Sequence, residues 1–354
     1  MDVRLVHEIP PTKINNPRNS EGAFIRAKNG DILFAYSRYN GTSHHDNASC
    51  DIALLRSTDE GESWKYEKII AYAKDFGVEN LMSVSAIVHD DASLSFYFMI
   101  KENNKTSSLG KCTSKDGINF NSEDAVRCKF LAKSGYYVIN NDRLLKLSDG
   151  RILAPAAYYP DIETSTPAVA TCIVSNDDGD SFEDGNFYLE SAYTINAPYG
   201  LQEPGITETD NGLYMWFRTN YGCQYESRTN GLNFDFTTPL PSIFSSPRSP
   251  MQIKRCDGVF YAIYNPIPNY NGRVIFPGTA GRSPIVIQKS VDGVKYGPVN
   301  IIESSEASRG YCYPSIFKTN DGCLLIAYCR GDELIDGDIL DNTGILKIKI
   351  DTIE

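Results

Sequence analysis

Arginine and carboxylate side chains stand at the ends of several hydrophobic, strand-like segments of this 354-residue chain. Glu203 opens one such pair of segments and Arg218 closes it, while Glu21 and Arg38 bracket another. The other polar residues at such ends are Lys101, Asp142, Arg143, Asn265, Tyr313 and Arg330. Arginines bind anionic groups through paired N–H donors, and carboxylates accept and donate protons. Solvation alone does not explain this concentration, so the elements that position these residues decide whether they form one site.

A short motif, here called the box motif, recurs along the chain and combines Ser, Asp or Asn, Gly and an aromatic residue. Its five copies, of which the fourth is degenerate, are Ser57–Trp64, Ser114–Phe120, Ser175–Phe182, Ser227–Phe234 and Ser290–Tyr296. Asp or Asn with Gly supplies the positive φ angles of a hairpin turn, and Ser and Asp bond to the turn amides. The serines are 57, 61, 52 and 63 residues apart, and such spacing predicts a repeat architecture of sheets.

A pair of apolar strands joined by a turn precedes each box motif, and a sixth pair follows the last one. Clear turn dipeptides join five of these pairs, and residues 83–100 repeat the pattern with a poorer turn. The dipeptides are Asn29-Gly30, Asp149-Gly150, Asn211-Gly212, Asp257-Gly258 and Asp321-Gly322. We therefore predict an all-β fold, a six-bladed β-propeller of four-stranded antiparallel sheets formed by residues 1–354 as a single domain. The amino-terminal strand near Val3–His7 would complete the last blade and close the ring.

Strand direction predicts where the polar strand ends lie. In an antiparallel hairpin, the start of the first strand and the end of the second lie together, opposite the turn. All inner turns and box motifs should therefore point to one face of the propeller. The other face should collect the arginines and carboxylates, together with the loop at residues 39–50.

Composition limits the partners. The formal net charge of −11 argues against nucleic acid or an anionic membrane surface, although a local arginine cluster could still bind a small anion. The nine cysteines are odd in number and lack metal-type spacing, which favours a reducing compartment. The first residues form no apolar signal segment, and no run is long enough to span a membrane. We expect a cytoplasmic protein without membrane insertion, metal or cofactor; secretion after removal of a signal peptide stays open as an alternative.

The box motif resembles the Asp-box, or BNR repeat, of the sialidase superfamily, and the resemblance covers essentially the whole chain. The family opens its sixth blade with Tyr-Ser-x-Leu before Asp-Gly, where this chain has Tyr313-Pro314-Ser315-Ile316 before Asp321-Gly322. Glu203 followed by Arg218 is similar to the opening of the fourth blade. Arg282, which follows an Asn-Pro, matches the arginine before the fifth box motif, and Asp46 lies in the loop that holds the family's catalytic aspartate.

This resemblance implies a retaining exo-glycosidase that releases a terminal sialic acid, or a related acidic sugar, from a glycan or glycoconjugate through a tyrosyl-enzyme intermediate. It makes Tyr313 the nucleophile, Glu203 its base and Asp46 the acid that protonates the leaving oxygen and later activates water. Arg218 and Arg282 would hold the sugar carboxylate. The other expected substrate-binding residues are Arg38, Glu21, Asp142, Arg143 and Arg330.

The chain departs from the family at the start of the first blade. Sialidases place there an arginine that completes a triad around the substrate carboxylate, and this chain has Ser20-Glu21-Gly22 instead. Substitute cations nearby are Arg18, Arg38, Arg248 and Arg330. A glycosidase for a different, even neutral, terminal sugar is therefore one alternative. A non-catalytic carbohydrate- or protein-binding propeller is the other, although such a module has no need to keep Tyr313, Glu203 and Asp46 together.

Overall fold

The computed structural model describes residues 1–12, 14–160, 167–191, 199–268, 281–305 and 308–354. These residues form 26 β-strands, numbered β1 to β26 in chain order, and no α-helix. Their short 3₁₀ helices are Ala73–Phe76, Ser122–Asp124 and Ile350–Thr352. None of these described helices has the length and apolar composition needed to cross a bilayer. The all-β class predicted from the repeats is confirmed.

The largest sheet has eight strands in two antiparallel halves. Its strands are β2 (Asn19–Arg26), β3 (Ile32–Tyr39), β4 (Cys50–Ser57), β5 (Lys65–Ala71), β6 (Asn80–Val88), β7 (Leu94–Lys101), β8 (Ser107–Ser114) and β9 (Ala125–Arg127). A single parallel pair, Cys50 with Asn80, joins the half formed by β2–β5 to the half formed by β6–β9. Each half is therefore one repeat of the sequence pattern.

Three further sheets have four antiparallel strands each. The first contains β16 (Gln202–Thr209), β17 (Gly212–Arg218), β18 (Cys223–Arg228) and β19 (Leu240–Ser245). The second contains β20 (Gln252–Cys256), β21 (Val259–Tyr264), β22 (Ile285–Ser290) and β23 (Asn300–Glu303). The third contains β24 (Cys312–Lys318), β25 (Cys323–Cys329), β26 (Thr343–Lys349) and β1 (Val3–Ile9).

The remaining sheet is less regular. Its strands are β10 (Lys129–Phe130), β11 (Tyr136–Val138), β12 (Leu145–Lys146), β13 (Ile152–Tyr159), β14 (Val169–Ser175) and β15 (Ser181–Asp184). The first strand predicted to begin near Asn141 is regular only over β12, because the backbone between β11 and β12 departs from the ladder with β13.

The strand predicted near the amino terminus is β1, which pairs with β26 from Val3 opposite Ile348 to Ile9 opposite Thr343. The inner strands of successive repeats pack against one another: β2 against β6 and β24, β20 against β16 and β24, and β16 against β13. The sheets are thus arranged as in a β-propeller. Because each sheet is covered on both faces, its central strands are almost continuously buried, as in residues 32–37 of β3.

The box motifs are structural turns. Ser57 donates its hydroxyl to Asp59 at 2.8 Å and accepts the Gly61 N–H at 2.9 Å, while the Asp59 carboxylate accepts the Ser63 N–H at 2.9 Å. Trp64 then packs on Phe24 and Phe34 in the core. This aromatic anchor fixes the turn onto its own sheet, so the repeated aspartates serve the fold.

Candidate active site

A cavity of about 570 Å³, here called the central pocket, is lined by four of the polar strand ends and by Asp46 of the loop at residues 39–50. The charged residues that line it are Glu21, Asp46, Lys101 and Glu203, and Tyr313, the predicted nucleophile, lines it as well. The aromatic anchors Trp64 and Phe182 belong to hydrophobic clusters instead. This placement agrees with the strand-direction argument, which separates the box motifs from the polar strand ends.

Four residues of the pocket share one unusual backbone geometry. Glu21, Ser83, Glu203 and Tyr313 have φ angles of 56°, 60°, 45° and 57°, in the left-handed region that non-glycine residues rarely adopt. Each lies where the pairing of its strand shifts register, for example between Ser20 and Ala23 or between Cys312 and Ser315. Such bulges re-aim a side chain. A bulge at the start of the first strand is thus how four of the repeats direct one residue each into the pocket.

Tyr313 and Glu203 form a hydrogen-bonded pair. The Tyr313 hydroxyl donates to Glu203 Oε1 at 3.0 Å, and Arg218 Nη1 donates to Glu203 Oε2. Burial alone would raise the pKa of Glu203, but Arg218, Arg282 and the two hydrogen bonds lower it overall. Burial and the Glu203 charge raise the pKa of Tyr313 well above its usual value. The resting pair is therefore a neutral tyrosine donating to an ionised carboxylate.

Arg218 and Arg282 lie behind this pair and are absent from the pocket lining. The Arg282 guanidinium is 5.8 Å from the centre of the Tyr313 ring, and its Nη1 donates to Cys312 Sγ at 3.2 Å. Both arginines lower the pKa of Tyr313, against the larger effect of burial. The structure thus places the two predicted carboxylate-binding arginines against Glu203 and Tyr313.

The opposite wall is organised by Arg18. This buried guanidinium donates to Glu21 Oε1 at 2.8 Å, to Asp46 Oδ1 at 2.6 Å and to Ser20 Oγ at 3.0 Å. Its Cζ also lies 4.6 Å from the centre of the Tyr39 ring. Arg18 therefore does not point a free cation at the pocket; its guanidinium is shared by the two acidic side chains that line this wall.

The two carboxylates of this wall differ in environment. Glu21 is 4 % exposed and accepts the Ser83 hydroxyl at 2.6 Å, whereas the Asp46 side chain is 66 % exposed. Burial raises the pKa of Glu21, against the opposing effect of Arg18. The pocket wall partly desolvates Asp46, which would raise its pKa, but Arg18 and Lys101 outweigh this effect, so the pKa of Asp46 lies below its usual value.

Asp142 and Arg143, expected to bind substrate, lie inside the ring away from the pocket lining. Asp142 accepts Lys254 Nζ at 2.6 Å and the Ile316 N–H at 3.0 Å. Arg143 is 3 % exposed, donates to Gln252 Oε1 and the Met251 carbonyl, and lies 5.5 Å from the Trp216 ring centre. Both carboxylate oxygens of Asp142 and both terminal nitrogens of Arg143 are bonded to neighbouring inner strands, so both residues brace the ring.

Arg38 and Arg330 also fall outside the pocket lining. Arg38 donates to Asn40 Oδ1 at 2.9 Å, and Arg330 is held by Glu303 at 2.8 Å and by Glu8. Neither supplies the missing cation. Arg248 comes nearer, because it lies 3.5 Å from the ring centre of the pocket residue Tyr199 and close enough to Arg218 for that charge to lower its pKa in addition to burial.

Sequence reasoning missed the aromatic and apolar side of the pocket. This side consists of Met82, Met99, Tyr136, Val138, Tyr159 and Tyr199, and its uncharged polar neighbours are Asn47, Ser83, Asn140 and Gln202. Tyr159 ends β13, so the rule that strand ends meet at one face would have found it if tyrosines had been counted with the charged residues. Ser83 aligns with Glu21 and Glu203 at the bulge. Among the described residues, no group of three or more His, Cys, Asp or Glu side chains could hold a metal ion.

Comparisons with known proteins agree with the architecture. A family model described as "BNR repeat-like domain" matches residues 30–326. The Hadza microbial sialidase Hz136 superposes with a TM-score of 0.74 and 14% identity, over 96% of this chain and 67% of that one. A Dyadobacter fermentans protein of unknown function gives 0.68 and 15% over 98% and 99% of the chains. Trypanosoma rangeli sialidase in complex with sialic acid gives 0.65 and 13%, over 95% of this chain and 54% of that one.

A search of curated protein sequences returned no match to the chain. The superpositions show that the structural neighbours share this fold, and their low sequence identities limit the conclusion to the fold. The chemistry must therefore be argued from the pocket itself.

Proposed function

The chain belongs to the family described as the BNR repeat-like domain, and on that premise we propose that it is a retaining exo-glycosidase of the sialidase type. Its sheets would form six blades of a ring that β1 closes with β26. The substrate would be a terminal sugar of a glycan or glycoconjugate that enters the central pocket. We propose a terminal sialic acid, or a related acidic sugar, as the first candidate.

The observation that carries this proposal is the hydrogen bond from Tyr313 to Glu203 on the pocket wall. A sialic acid carries its carboxylate on the anomeric carbon, so a carboxylate nucleophile would be repelled by the substrate. A neutral tyrosine avoids this repulsion until a neighbouring base takes its proton. Glu203 is within hydrogen-bond reach for that transfer, and Arg218 and Arg282 would stabilise the charge that develops on the pair.

The remaining steps need an acid on the other side of the sugar. The resemblance assigns this role to Asp46, which lines the pocket and would protonate the leaving oxygen. In the second half of the reaction, a water molecule would give a proton to the Asp46 carboxylate, attack the anomeric carbon and release the sugar with retained configuration. Glu203 would return its proton to Tyr313.

A different terminal sugar is the second candidate, and the charge of the pocket favours it. The described lining residues include three carboxylates and one lysine, and Arg218 and Arg282 are not among them. Glu21 stands where the family would place a cation. Carboxylates that face the pocket are suited to accept hydrogen bonds from sugar hydroxyl groups.

The test is hydrolysis of a panel of aryl glycosides that contains a sialoside, other acidic sugars and neutral hexosides. NMR of the first-formed sugar reports its anomeric configuration, and a fluorinated sugar that traps the intermediate should add its mass to the peptide that contains Tyr313. Cleavage of the sialoside supports the first candidate, and cleavage of a neutral glycoside alone supports the second. Binding of glycans without cleavage of any panel member would contradict the enzymatic proposal.

A further inference from the structure

We infer that Glu21 is the residue that gives a proton to the leaving oxygen and later takes one from water, while Asp46 stays ionised and positions Arg18. This inference rests on the proposed glycosidase function and replaces the acid that the resemblance suggests. It concerns the two carboxylates that share one guanidinium on the wall of the central pocket.

The position of Glu21 fits a residue that acts on the substrate. It lines the same pocket as Tyr313 and Glu203 and occupies the same bulge position of its own repeat as they do. Arg18 and Ser83 hold its two carboxylate oxygens, at 2.8 Å and 2.6 Å. A hydroxyl group both donates and accepts, so Ser83 can hold Glu21 in either protonation state. The side chain is thus fixed in place before and after proton transfer.

The position of Asp46 fits a residue that stays charged. Its side chain is 66 % exposed, its Oδ1 is 2.6 Å from Arg18, and Lys101 donates to its backbone carbonyl. Water and two cations stabilise the carboxylate over the neutral acid. An aspartate in this setting is mostly ionised near neutral pH and has no proton to donate. Its ion pair with Arg18 fixes the guanidinium that supports Glu21.

The groups that face Glu21 support this division of roles. The charged groups are Arg18, Asp46 and Lys101, and the uncharged titratable groups that sense its charge are Tyr39, Cys50, Tyr313 and Cys329. Burial and Asp46 raise the pKa of Glu21, whereas Arg18, Ser83 and Lys101 oppose them with the smaller combined effect. Two nearby carboxylates whose pKa values move in opposite directions divide into an acid and a permanent anion.

The proton and electron pairs balance over the two half-reactions. In the first, Tyr313 Oη bonds to the anomeric carbon and gives its proton to Glu203. The glycosidic C–O bond breaks, and the leaving oxygen takes the Glu21 proton. In the second, water bonds to the anomeric carbon and gives a proton to the Glu21 carboxylate, while the tyrosyl C–O bond breaks and Tyr313 recovers its proton from Glu203.

The experiment compares Glu21→Gln with Asp46→Asn on one sugar joined to leaving groups of different acidity, using the sugar that the parent cleaves. Glu21→Gln should lower kcat/KM about a hundredfold to ten-thousandfold for an alkyl leaving group. It should retain a near-parental kcat/KM for an activated aryl group that needs no protonation, while kcat falls because no base is left to take the proton from water. Azide should restore turnover of Glu21→Gln and yield a glycosyl azide. Asp46→Asn should lower rates alike for all leaving groups, without azide rescue.

Leaving-group dependence and azide rescue in Asp46→Asn, with a uniform loss in Glu21→Gln, would overturn the inference. Infrared difference spectra of parent minus Glu21→Gln give a readout that does not need turnover. The band of the protonated Glu21 carboxyl group, seen in this difference spectrum, should disappear as the pH rises. The band of Asp46, seen in the spectrum of parent minus Asp46→Asn, should disappear at a lower pH. The reverse order would also refute the assignment. A parent that cleaves no glycoside overturns the proposed function, whereas a parent that cleaves normally with Asp46 as the acid overturns this inference alone.

Discussion

Tyr313 and Glu203 are 110 positions apart in the chain, yet the tyrosine hydroxyl donates to the carboxylate at 3.0 Å on the wall of the central pocket. Both residues adopt a left-handed backbone at the start of the first strand of their sheets. Arg218 contacts the carboxylate, and Arg282 lies against the tyrosine ring. The pair is therefore held by backbone geometry and by buried cations before any substrate arrives.

Tyr313→Phe removes the hydroxyl oxygen and keeps the packing of the ring. We expect turnover to fall at least about a hundredfold, while the free energy of unfolding changes by under about 1 kcal/mol. Tyr159→Phe is the matched control, because Tyr159 also lines the pocket and its hydroxyl accepts Gln202 Nε2 at 3.1 Å. Steady-state kinetics and urea unfolding of both variants test this. Equal losses of turnover in the two variants would contradict the assignment of Tyr313 as the nucleophile.

Arg218→Met removes the main cation that offsets the burial of Glu203, so the pKa of Glu203 should rise. In the parent, the pKa of Glu203 is below the usual glutamate value. The ionised side chain therefore stabilises the folded state at pH values above the usual glutamate pKa, and this stabilisation is lost as the pH falls through the pKa of Glu203 in the folded state. The acidic limb of the kcat/KM profile should therefore move to higher pH in the variant. Arg38→Met, remote from this pair, should leave the limb in place. An unshifted limb in Arg218→Met would mean that Glu203 is not the titrating base.

Arg282→Ala tests whether this arginine serves the nucleophile or the substrate. Its contacts are with Tyr313 and Cys312, behind the pocket lining, so kcat should fall about tenfold to a hundredfold with KM little changed. Arg330→Ala, which breaks an ion pair outside the pocket, should leave both constants near parental values. A rise of KM as the main effect, confined to an acidic sugar, would instead support direct binding of the substrate carboxylate.

Gly22→Ala tests the bulge that aims Glu21. A Cβ at this position would lie 2.2 Å from Phe34 Cζ and 2.6 Å from the Ala35 carbonyl oxygen, so the strand or the ring must move. We expect the free energy of unfolding to fall by about 1–3 kcal/mol. Gly297→Ala is the control, since a Cβ there approaches its nearest atom only to 3.4 Å. Chemical denaturation of both variants decides; equal stability would show that the first strand can relax around the added methyl group.

The box-motif aspartates predict acid-sensitive stability. Hydrogen bonds from Ser181 and Ser175 lower the pKa of Asp177 overall, although burial acts against them. A lowered pKa stabilises the folded state above the usual aspartate pKa, and this contribution is lost as pH falls through the folded value. Thermal unfolding should show less dependence on acid pH in Asp177→Asn than in the parent, with kcat unchanged at neutral pH. A changed kcat would contradict a purely structural role for the box motif.

The sequence predicted the all-β repeat architecture because turn chemistry and strand alternation are local and were written several times. It also predicted that Glu203, Tyr313 and Asp46 would line one pocket, since strand direction decides which ends meet. It could not predict that Arg218 and Arg282 lie behind that lining, because a guanidinium at a strand end can turn either way. Nor could it predict that Arg330 forms ion pairs with Glu303 and Glu8, because these contacts join segments that are distant in the sequence.

The left-handed bulge has a consequence for how this protein can change over evolutionary time. At Glu21, Glu203 and Tyr313 an L-residue holds a backbone state that glycine adopts freely and that costs other residues about 1 kcal/mol or more. Selection for stability alone would therefore favour glycine at these pocket positions, and the proposed reaction would be lost while the fold became more stable. Relatives with glycine at these positions should be more stable and should lack the proposed activity, whereas relatives that keep these residues retain them against their backbone preference.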